Sequence, residues 1–430
     1  MTVDKNLFLY DLAVVSIMKN EAPYAKEWLD YHFLAGVNHF YIFDNESPDN
    51  LKEILQPYID AGIVTYIFYP GKARQYEAYN EAIQKYKFFC RYIAFIDADE
   101  FIFPQKNSTV SEVVDEILKD YPNAGGLAVN IYNFGSNFQE KADYSKGVLE
   151  RFTRRAPVDW VPPLEALGNL PGGTAHVSTI TNPRKVDYFA SPHFAYYFEG
   201  TQAINSNGKV VPIFYNNPPT VDKIVMNHYS IKSKEEYLKK VRRGAADHLD
   251  DFYKIEWFNK NDTNEVFDDS ILKHRVARYT AGGGIIHPVN YQRCYTALMQ
   301  NLSPLFTQNI PQDFFNGKME TFLTCLNLIE HLREKVLNEK LGNFLEESTL
   351  DAILKTIFIG SNLADMRLLL LELPNILRLK YPVVQDIRSV CINFLPQLIE
   401  IYRLNNRWKE FTEMNYVLKL LRTFDDYEHK

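Results

Sequence analysis

The sequence lacks most features that would set it apart from an ordinary globular protein. Among 430 residues it has only four cysteines, Cys90, Cys294, Cys325 and Cys391, and no C-x-x-C pair. Each lies in an apolar stretch, so they read as buried reduced thiols, neither a disulfide frame nor a thiolate metal site. No apolar run reaches the ~18 residues that a membrane-spanning helix needs. The longest candidate, around Leu368–Leu371, is stopped by Glu372 and Pro374. Met1–Leu12 has no basic stretch followed by an apolar core, so no secretory signal is expected and a cytoplasmic location is. There is no excess of positive charge: Lys+Arg total 47 against 54 Asp+Glu, a net charge of -7. Such a chain has no general pull toward nucleic acid. Low-complexity tracts and fixed-period repeats are absent as well.

What is present is a well-stocked core. Hydrophobic residues make up 46% and charged residues 23%, which excludes disorder as the main state. Aromatics reach 14%, with 28 Tyr and 29 Phe, enough for large cores or for sites that stack on flat or sugar-like ligands. The first third alternates two patterns. Leu12–Met18, His39–Phe43, Ile63–Tyr69 and Tyr92–Ile96 are short apolar runs that read as strands. Glu21–Leu34, Asp49–Ile59 and Gln75–Phe88 have helical spacing. This βαβαβαβ rhythm implies an α/β fold with a mostly parallel, Rossmann-like sheet and right-handed crossovers. Ligands of such sheets gather at the carboxyl ends of the strands. Those ends carry Lys19-Asn20-Glu21, Asp44-Asn45 and Asp97-Ala98-Asp99-Glu100.

Further along, strand-like pieces (Leu127–Ile131, Val225–Tyr229) alternate with Gly/Pro/Asn-rich loops such as Pro162–Gly173 and Asn205–Thr220, read as the second half of the same unit. From about Asn301 the periodicity becomes helical. Phe322, Leu326, Ile329, Arg333 and Val336 step at helical intervals, and Leu345–Ile359, Ala364–Leu379, Val384–Arg403 and Trp408–Phe424 follow. The expected organisation is therefore an α/β domain over 1–295 and an all-α domain over 296–430.

The strongest chemical signal is Phe95-Ile96-Asp97-Ala98-Asp99-Glu100-Phe101. Three carboxylates at a strand end repel one another unless a cation sits among them. Hard ions such as Mg²⁺ or Mn²⁺ want oxygen ligands and can hold a diphosphate at the same time. Dehalogenase-like phosphatases carry Asp-x-Asp after their first strand, followed by x-Thr or x-Val. Here it comes late and Phe101 fills that slot. Nucleotide-sugar transferases carry it in mid-domain, after several nucleotide-binding strands, as here. A sugar nucleotidyltransferase would want a Gly-rich loop after the first strand, where this chain reads Lys19-Asn20-Glu21-Ala22-Pro23.

Longer motifs extend the pattern. Ser16-Ile17-Met18-Lys19-Asn20-Glu21, Glu27-Trp28-Leu29-Asp30-Tyr31-His32 and Gly36-Val37-Asn38-His39, running on to Asp44-Asn45-Glu46-Ser47-Pro48-Asp49, resemble the opening of glycosyltransferase family 92 and its bacterial family-2-like relatives. The resemblance continues through Gln75-x-x-x-Tyr79-Asn80, the acid cluster, Asn133-Phe134-Gly135-Ser136 and Glu150-Arg151-Phe152. It ends with Asn227-His228-Tyr229-Ser230-Ile231-Lys232-Ser233, Lys240-Val241-Arg242-Arg243-Gly244 and Asn264-x-x-x-Asp268-x-Ser270-Ile271. It covers about residues 10–275.

This resemblance implies a GT-A fold, a UDP-sugar donor, a Mn²⁺ or Mg²⁺ cofactor, and transfer of a hexose such as galactose to a glycan or glycolipid hydroxyl with inversion. Carried over by position, Lys19, Asn20 and Glu21 lie by the nucleotide, Asp44 meets the base, and Gln75 and Asn80 line the same pocket. Asp97 faces the ribose and shares the metal with Asp99 and His228. Lys232 and Arg243 hold the diphosphate. Asp268 is the favoured base for the acceptor hydroxyl, with Asp187 and Glu199 as alternatives. Any membrane contact would be peripheral, at the inner face. The competing reading is a non-catalytic nucleotide- or glycan-binding module whose helical part recruits partners.

Several of these residues also have a plain structural reading. Asn20 can cap the first helix ahead of Pro23, and Asp44-Asn45 can form an Asx turn. His32 reads as a structural helix residue, and His193 as either a loop histidine or an acceptor-side group. Lys239-Lys240-Val241-Arg242-Arg243 has the composition of a solvated helix face. Trp160 with Pro162-Pro163 could offer a sugar ring an apolar platform.

Overall fold

A computed structural model of the protein describes residues 3–106, 108–162, 172–247, 255–273, 291–302, positions 320, 321, 323–325, 327, 328 and 331, and 382–427. The chain forms two compact units, Tyr10–Asn290 on the one hand and Met1–Leu9 with Tyr291–Lys430 on the other.

The larger unit begins as the hydrophobic pattern dictates. β1 (Tyr10–Met18), α1 (Ala22–Leu34), β2 (His39–Asp44), α2 (Leu51–Asp60), β3 (Val64–Phe68), α3 (Gln75–Tyr86) and β4 (Cys90–Phe95) follow in turn. β1 is buried along almost its whole length and β2 throughout, as strands covered on both faces must be. β1 pairs in parallel with β2 and β4, and β2 with β3. Met18 is in register with Asp44, and Asp44 with Phe68, so the carboxyl ends of these three strands are level. At the turn into β2, Gly36 has φ +102°, and a Cβ there would stand 2.6 Å from the Thr109 side chain. Only glycine fits both conditions.

The second half departs from a purely parallel layout. β5 (Glu100–Pro104) starts straight after the acidic turn, and α4 (Val110–Leu118) follows behind a Thr109/Glu112 capping box. β6 (Ala124–Asn133), α5 (Val148–Arg151), β7 (Arg154–Arg155), β8 (Val177–Thr181), β9 (Val186–Phe189), β10 (Ala195–Tyr197), β11 (Gln202–Ile204), β12 (Val210–Val211) and β13 (Ile224–His228) complete the strand set before α6 (Lys234–Arg243). The ten-stranded sheet runs β12-β11-β6-β8-β4-β1-β2-β3, with β13 joining β5 to β6. β8 lies antiparallel between β4 and β6, and β5 antiparallel to β13. The result is an α/β unit with a parallel four-stranded half and a mixed half.

Among the described residues β5 pairs with β13 alone, and α1 serves its other edge. Trp28 Nε1 donates to the Glu100 carbonyl (2.8 Å) and Tyr31 Oη to the Ile102 carbonyl (2.9 Å), while His32 Nε2 accepts from the Ile102 amide (3.2 Å). His32 Nδ1 bonds the Trp28 carbonyl at 2.8 Å. Burial pushes this imidazole down to about 3, so His32 is neutral and structural. The helix face that fills the core thus also fixes where the acidic turn stands.

The smaller unit is helical among the described residues, with α7 (Tyr291–Leu302), Pro382–Leu404 and Trp408–Tyr427. The last two correspond to the expected Val384–Arg403 and Trp408–Phe424 helices. They pack on each other through buried Leu395, Leu398, Tyr402, Met414, Val417 and Leu421. The stripe residues Phe322, Leu326, Ile329, Arg333 and Val336 and the segments Leu345–Ile359 and Ala364–Leu379 lie outside the described residues, as does most of the loop Pro162–Gly173.

Candidate active site

The acidic turn opens onto a cavity of about 410 Å³ at the carboxyl ends of β1 and β4. Lys19, Glu21, Asn45, Gln75, Asp97 and Asp99 line one side of it. Pro192 and His193 line another, and the C-terminal turn of α6 with Gly244–Asp247 closes it. The Gln75 amide N–H donates to the Ala246 carbonyl at 3.1 Å, which ties that closing segment to the start of α3. An adjoining cavity of about 550 Å³ holds Asn20, Lys232 and Tyr24, and it shares Glu21, Lys240 and Arg243 with the first.

Asp99 is the electrostatic centre. Lys240 Nζ stands 2.8 Å from its Oδ2 and Lys232 Nζ 3.9 Å away, while His228 Nε2 is 3.3 Å from Oδ1. Burial alone would raise the Asp99 pKa, but Lys240, His228 and Lys232 outweigh it and hold the carboxyl well below the usual range. Burial likewise opposes charge on His228, yet the Asp99 carboxylate lifts it above its ordinary value. Asp97 accepts from Gln75 Nε2 at 2.8 Å. Burial and then the charge of Asp99 push it up to about 6. Glu100, beneath them, accepts from Ser178 Oγ at 3.2 Å, and burial followed by its acidic neighbours pushes it to about 8. Its surroundings therefore favour the protonated form of this third acid. His193 Nδ1 lies 4.0 Å from Glu100, and its ring meets His176 edge-on at 5.2 Å. Burial holds both histidines neutral.

The expected residues separate into those brought together and those employed elsewhere. Lys19, Glu21, Gln75, Asp97, Asp99 and Arg243 line the main cavity. Arg243 donates to the Lys19 carbonyl at 2.9 Å and pairs with Glu21. Asn20 lies on the adjoining cavity in a left-handed conformation (φ 57°). It does not cap α1, whose Ala22 amide donates instead to Asp49 at 3.0 Å. Lys232 reaches Asp99 from the adjoining cavity, with its ammonium 4.5 Å from the centre of the Tyr24 ring.

Three expected residues lie away from the cavity lining and are engaged elsewhere. Asp44 does not line the main cavity: its carboxylate accepts from the Ser47 amide (2.9 Å) and Tyr66 Oη (2.7 Å), and the neighbouring Asn45 lines the cavity instead. Asn80 is a clamp, bonding the Phe189 carbonyl (2.9 Å) and amide (2.8 Å). Asp268 is likewise absent from the lining, held by Arg155 Nε at 2.7 Å and by Ser270. Those contacts outweigh burial and lower its pKa. Asp187 and Glu199 do not line the cavity either, nor does Trp160.

Lys240, Asp247 and Asn45 are additions of the structure. Lys240 had a readable signal. The Ser233/Glu236 capping box fixes the start of α6, and positions 236, 240 and 243 then share one helix face.

Residues 16–275 match the family model of Glycosyltransferase family 92. The chain belongs to glycosyltransferase family 92. Over 252 residues this family 92 chain is 21% identical to a glycosyltransferase family 92 protein of Ricinus communis, covering 58% of this chain and 40% of that protein. Over 103 residues it is 30% identical to galactan beta-1,4-galactosyltransferase GALS1 of Arabidopsis thaliana, covering 21% and 20%. The chain spans less than half the length of the curated relatives it matches. S. aureus TarS 1-349 aligns over 96% of this chain and 91% of that one at 9% identity and a TM-score of 0.29, too slight a likeness to argue from.

Among the described residues, no three His, Cys, Asp or Glu side chains form a ready-made metal cage. Asp97, expected as a ligand, is turned to Gln75. Asp99 and His228 do meet, and oxygen plus imidazole suits Mn²⁺. An ion that arrives on a diphosphate needs only one or two protein ligands, since phosphate and water supply the rest. The donor set therefore fits a phosphate-borne ion and does not fit a protein-only site.

Proposed function

We propose that the protein is a metal-dependent galactosyltransferase that moves galactose from UDP-galactose to a glycan or glycolipid hydroxyl with inversion. The observation that carries this reading is the Asp99 carboxylate, set among His228, Lys240 and Lys232 at the rim of a strand-end cavity. Family membership and the galactosyltransferase named among the relatives support it.

Cleaving a sugar–phosphate bond puts negative charge on the departing diphosphate, and preorganised cations lower that barrier. Lys240, Lys232 and Arg243 converge on this place from α6 and the segment before it. Asp99 and His228 would hold the divalent ion, which when bound adds Lewis-acid stabilisation of the same phosphates. Gln75 fixes the orientation of Asp97 at the nucleoside end. An inverting reaction also needs a group to take the acceptor's proton. His193, neutral and on the cavity wall, suits that task better than Asp268, whose carboxylate is already engaged. Action on the cytoplasmic side, at the inner face of a membrane, belongs to the same proposal.

The test is UDP release from UDP-galactose, UDP-glucose and UDP-N-acetyl sugars, with Mn²⁺ and with chelator. Release from UDP-galactose that needs Mn²⁺ is the expected result. Tight UDP binding with no release from any donor would favour the binding module.

A further inference from the structure

We propose that Lys240 holds the cation's place on Asp99 in the ligand-free protein and moves to the diphosphate when metal and nucleotide arrive together. This inference rests on the donor reading above, in which Lys240 is one of the cations facing the diphosphate, and adds where that ammonium stands before the ligand arrives.

Basic groups crowd one oxygen pair, with the acids Asp97 and Glu100 close by. One carboxylate, Asp99, faces two ammonium groups and an imidazole. Lys240 is the nearest, 2.8 Å from Oδ2, and it also donates to the Ser230 carbonyl at 3.4 Å. A divalent ion on Asp99 would meet that ammonium at close range, and two cations on one carboxylate repel each other. A diphosphate brings the missing negative charge, and Lys240 lines the cavity that would receive it. The backbone of α6 need not move. Its start is pinned by the Ser233/Glu236 capping box and by the buried Arg151–Glu236 pair. The four-carbon stem of a lysine lets its ammonium swing between acceptors. Asp99 thus has low affinity for the metal alone and gains affinity only when phosphate draws Lys240 away.

Mn²⁺ and UDP binding to the full chain, measured by calorimetry and by Mn²⁺ electron paramagnetic resonance, test this directly. In the wild type, UDP should tighten Mn²⁺ by at least about tenfold, within the usual range of site coupling. Lys240→Met should change the two affinities in opposite directions. Mn²⁺ alone should bind about tenfold tighter, because the competing ammonium is gone, and UDP with Mn²⁺ about tenfold weaker, because a phosphate ligand is lost. Lys240→Arg should keep the wild-type pattern. A structural role would weaken both affinities, so opposite signs are decisive. Lys240→Gln, checked for an unchanged melting temperature, repeats the measurement should the methionine variant fold poorly. Coupling in the wild type that survives unchanged in the neutral variants overturns the exchange alone. UDP binding that ignores Mn²⁺ in the wild type overturns the metal reading and the exchange together.

Discussion

Two buried ion-pair clusters lie in the same unit and are built on opposite principles. Around Asp99, one carboxylate meets Lys240, Lys232 and His228. Around Glu236, one carboxylate meets one guanidinium in a bidentate pair, Arg151 Nη1 at 3.0 Å and Nη2 at 2.6 Å. Glu236 also accepts from Tyr24 Oη at 2.8 Å and from the Ser233 cap. Both Glu236 and Arg151 side chains are only 2% exposed. The second cluster is closed: its charges match and its lone pairs are used. The first is open: three basic groups share one carboxylate beside a cavity, with Asp97 and Glu100 close by. A closed buried pair belongs to the scaffold, whereas an open one at a cavity marks where a charged ligand is to come.

Replacing each anchor in turn would break or sharpen this contrast. Asp99→Ala should give the largest effect, a loss of turnover of about a thousandfold or more, or roughly 4 kcal/mol of transition-state stabilisation. Its melting temperature should fall as well, because the buried Lys232 and part-buried Lys240 lose the carboxylate they share. A variant that melts early yet retains turnover would reverse the assignment of the two clusters. Arg151→Met should do the converse. It leaves Glu236 charged and buried, which costs about 3 kcal/mol in urea denaturation, while the folded fraction at low temperature keeps its UDP release. A stable but inactive protein would mean that this pair belongs to the chemistry.

The smallest and most discriminating test concerns Glu100. Its carboxyl is raised from an ordinary 4.5 to about 8. The folded state therefore binds this proton more tightly than the unfolded chain, and the stability it contributes is complete below about pH 4.5. That stability is lost progressively as the pH rises towards 8. Glu100→Gln cannot ionise and should escape that loss. With chelator present, the wild type should lose stability relative to the variant between pH 5 and 8, by up to about 3 kcal/mol. Parallel stability profiles would show that Glu100 is already ionised and that a cation, not a proton, relieves the crowding of acids.

Much of the fold was legible because the signals were local. Leu12–Met18 and His39–Phe43 are continuous apolar runs with polar turns on each side, and they became β1 and β2 with little change. β5 was not legible, since Phe101-Ile102-Phe103 is short and its partners are β13 and the side chains of α1, both distant in sequence. β8 faced the same difficulty: its antiparallel place between β4 and β6 depends on chain contacts that no short window contains. α4 should have been found, because Thr109 and Glu112 spell a capping box. At the site, Asp97 and Asp99 stood out because acids at a strand end have no cheap structural use. Asp44, Asn80 and Asp268 looked equally polar, but each satisfies a nearby backbone or side-chain group, and that employment is visible only in three dimensions. Lys240 was the reverse case, since a run of basic residues at a helix end resembles a solvated face until one turn of it meets an acid.

The edge of β5 that α1 covers has a consequence of its own. A strand with a bare flank invites a second chain to add to it, and proteins usually blunt such flanks with charge, bulges or proline. Here an indole, a phenol and an imidazole take up the outward amide and carbonyls. The rim can therefore carry polar, ligand-hungry groups at its tip while remaining closed to self-association along its length.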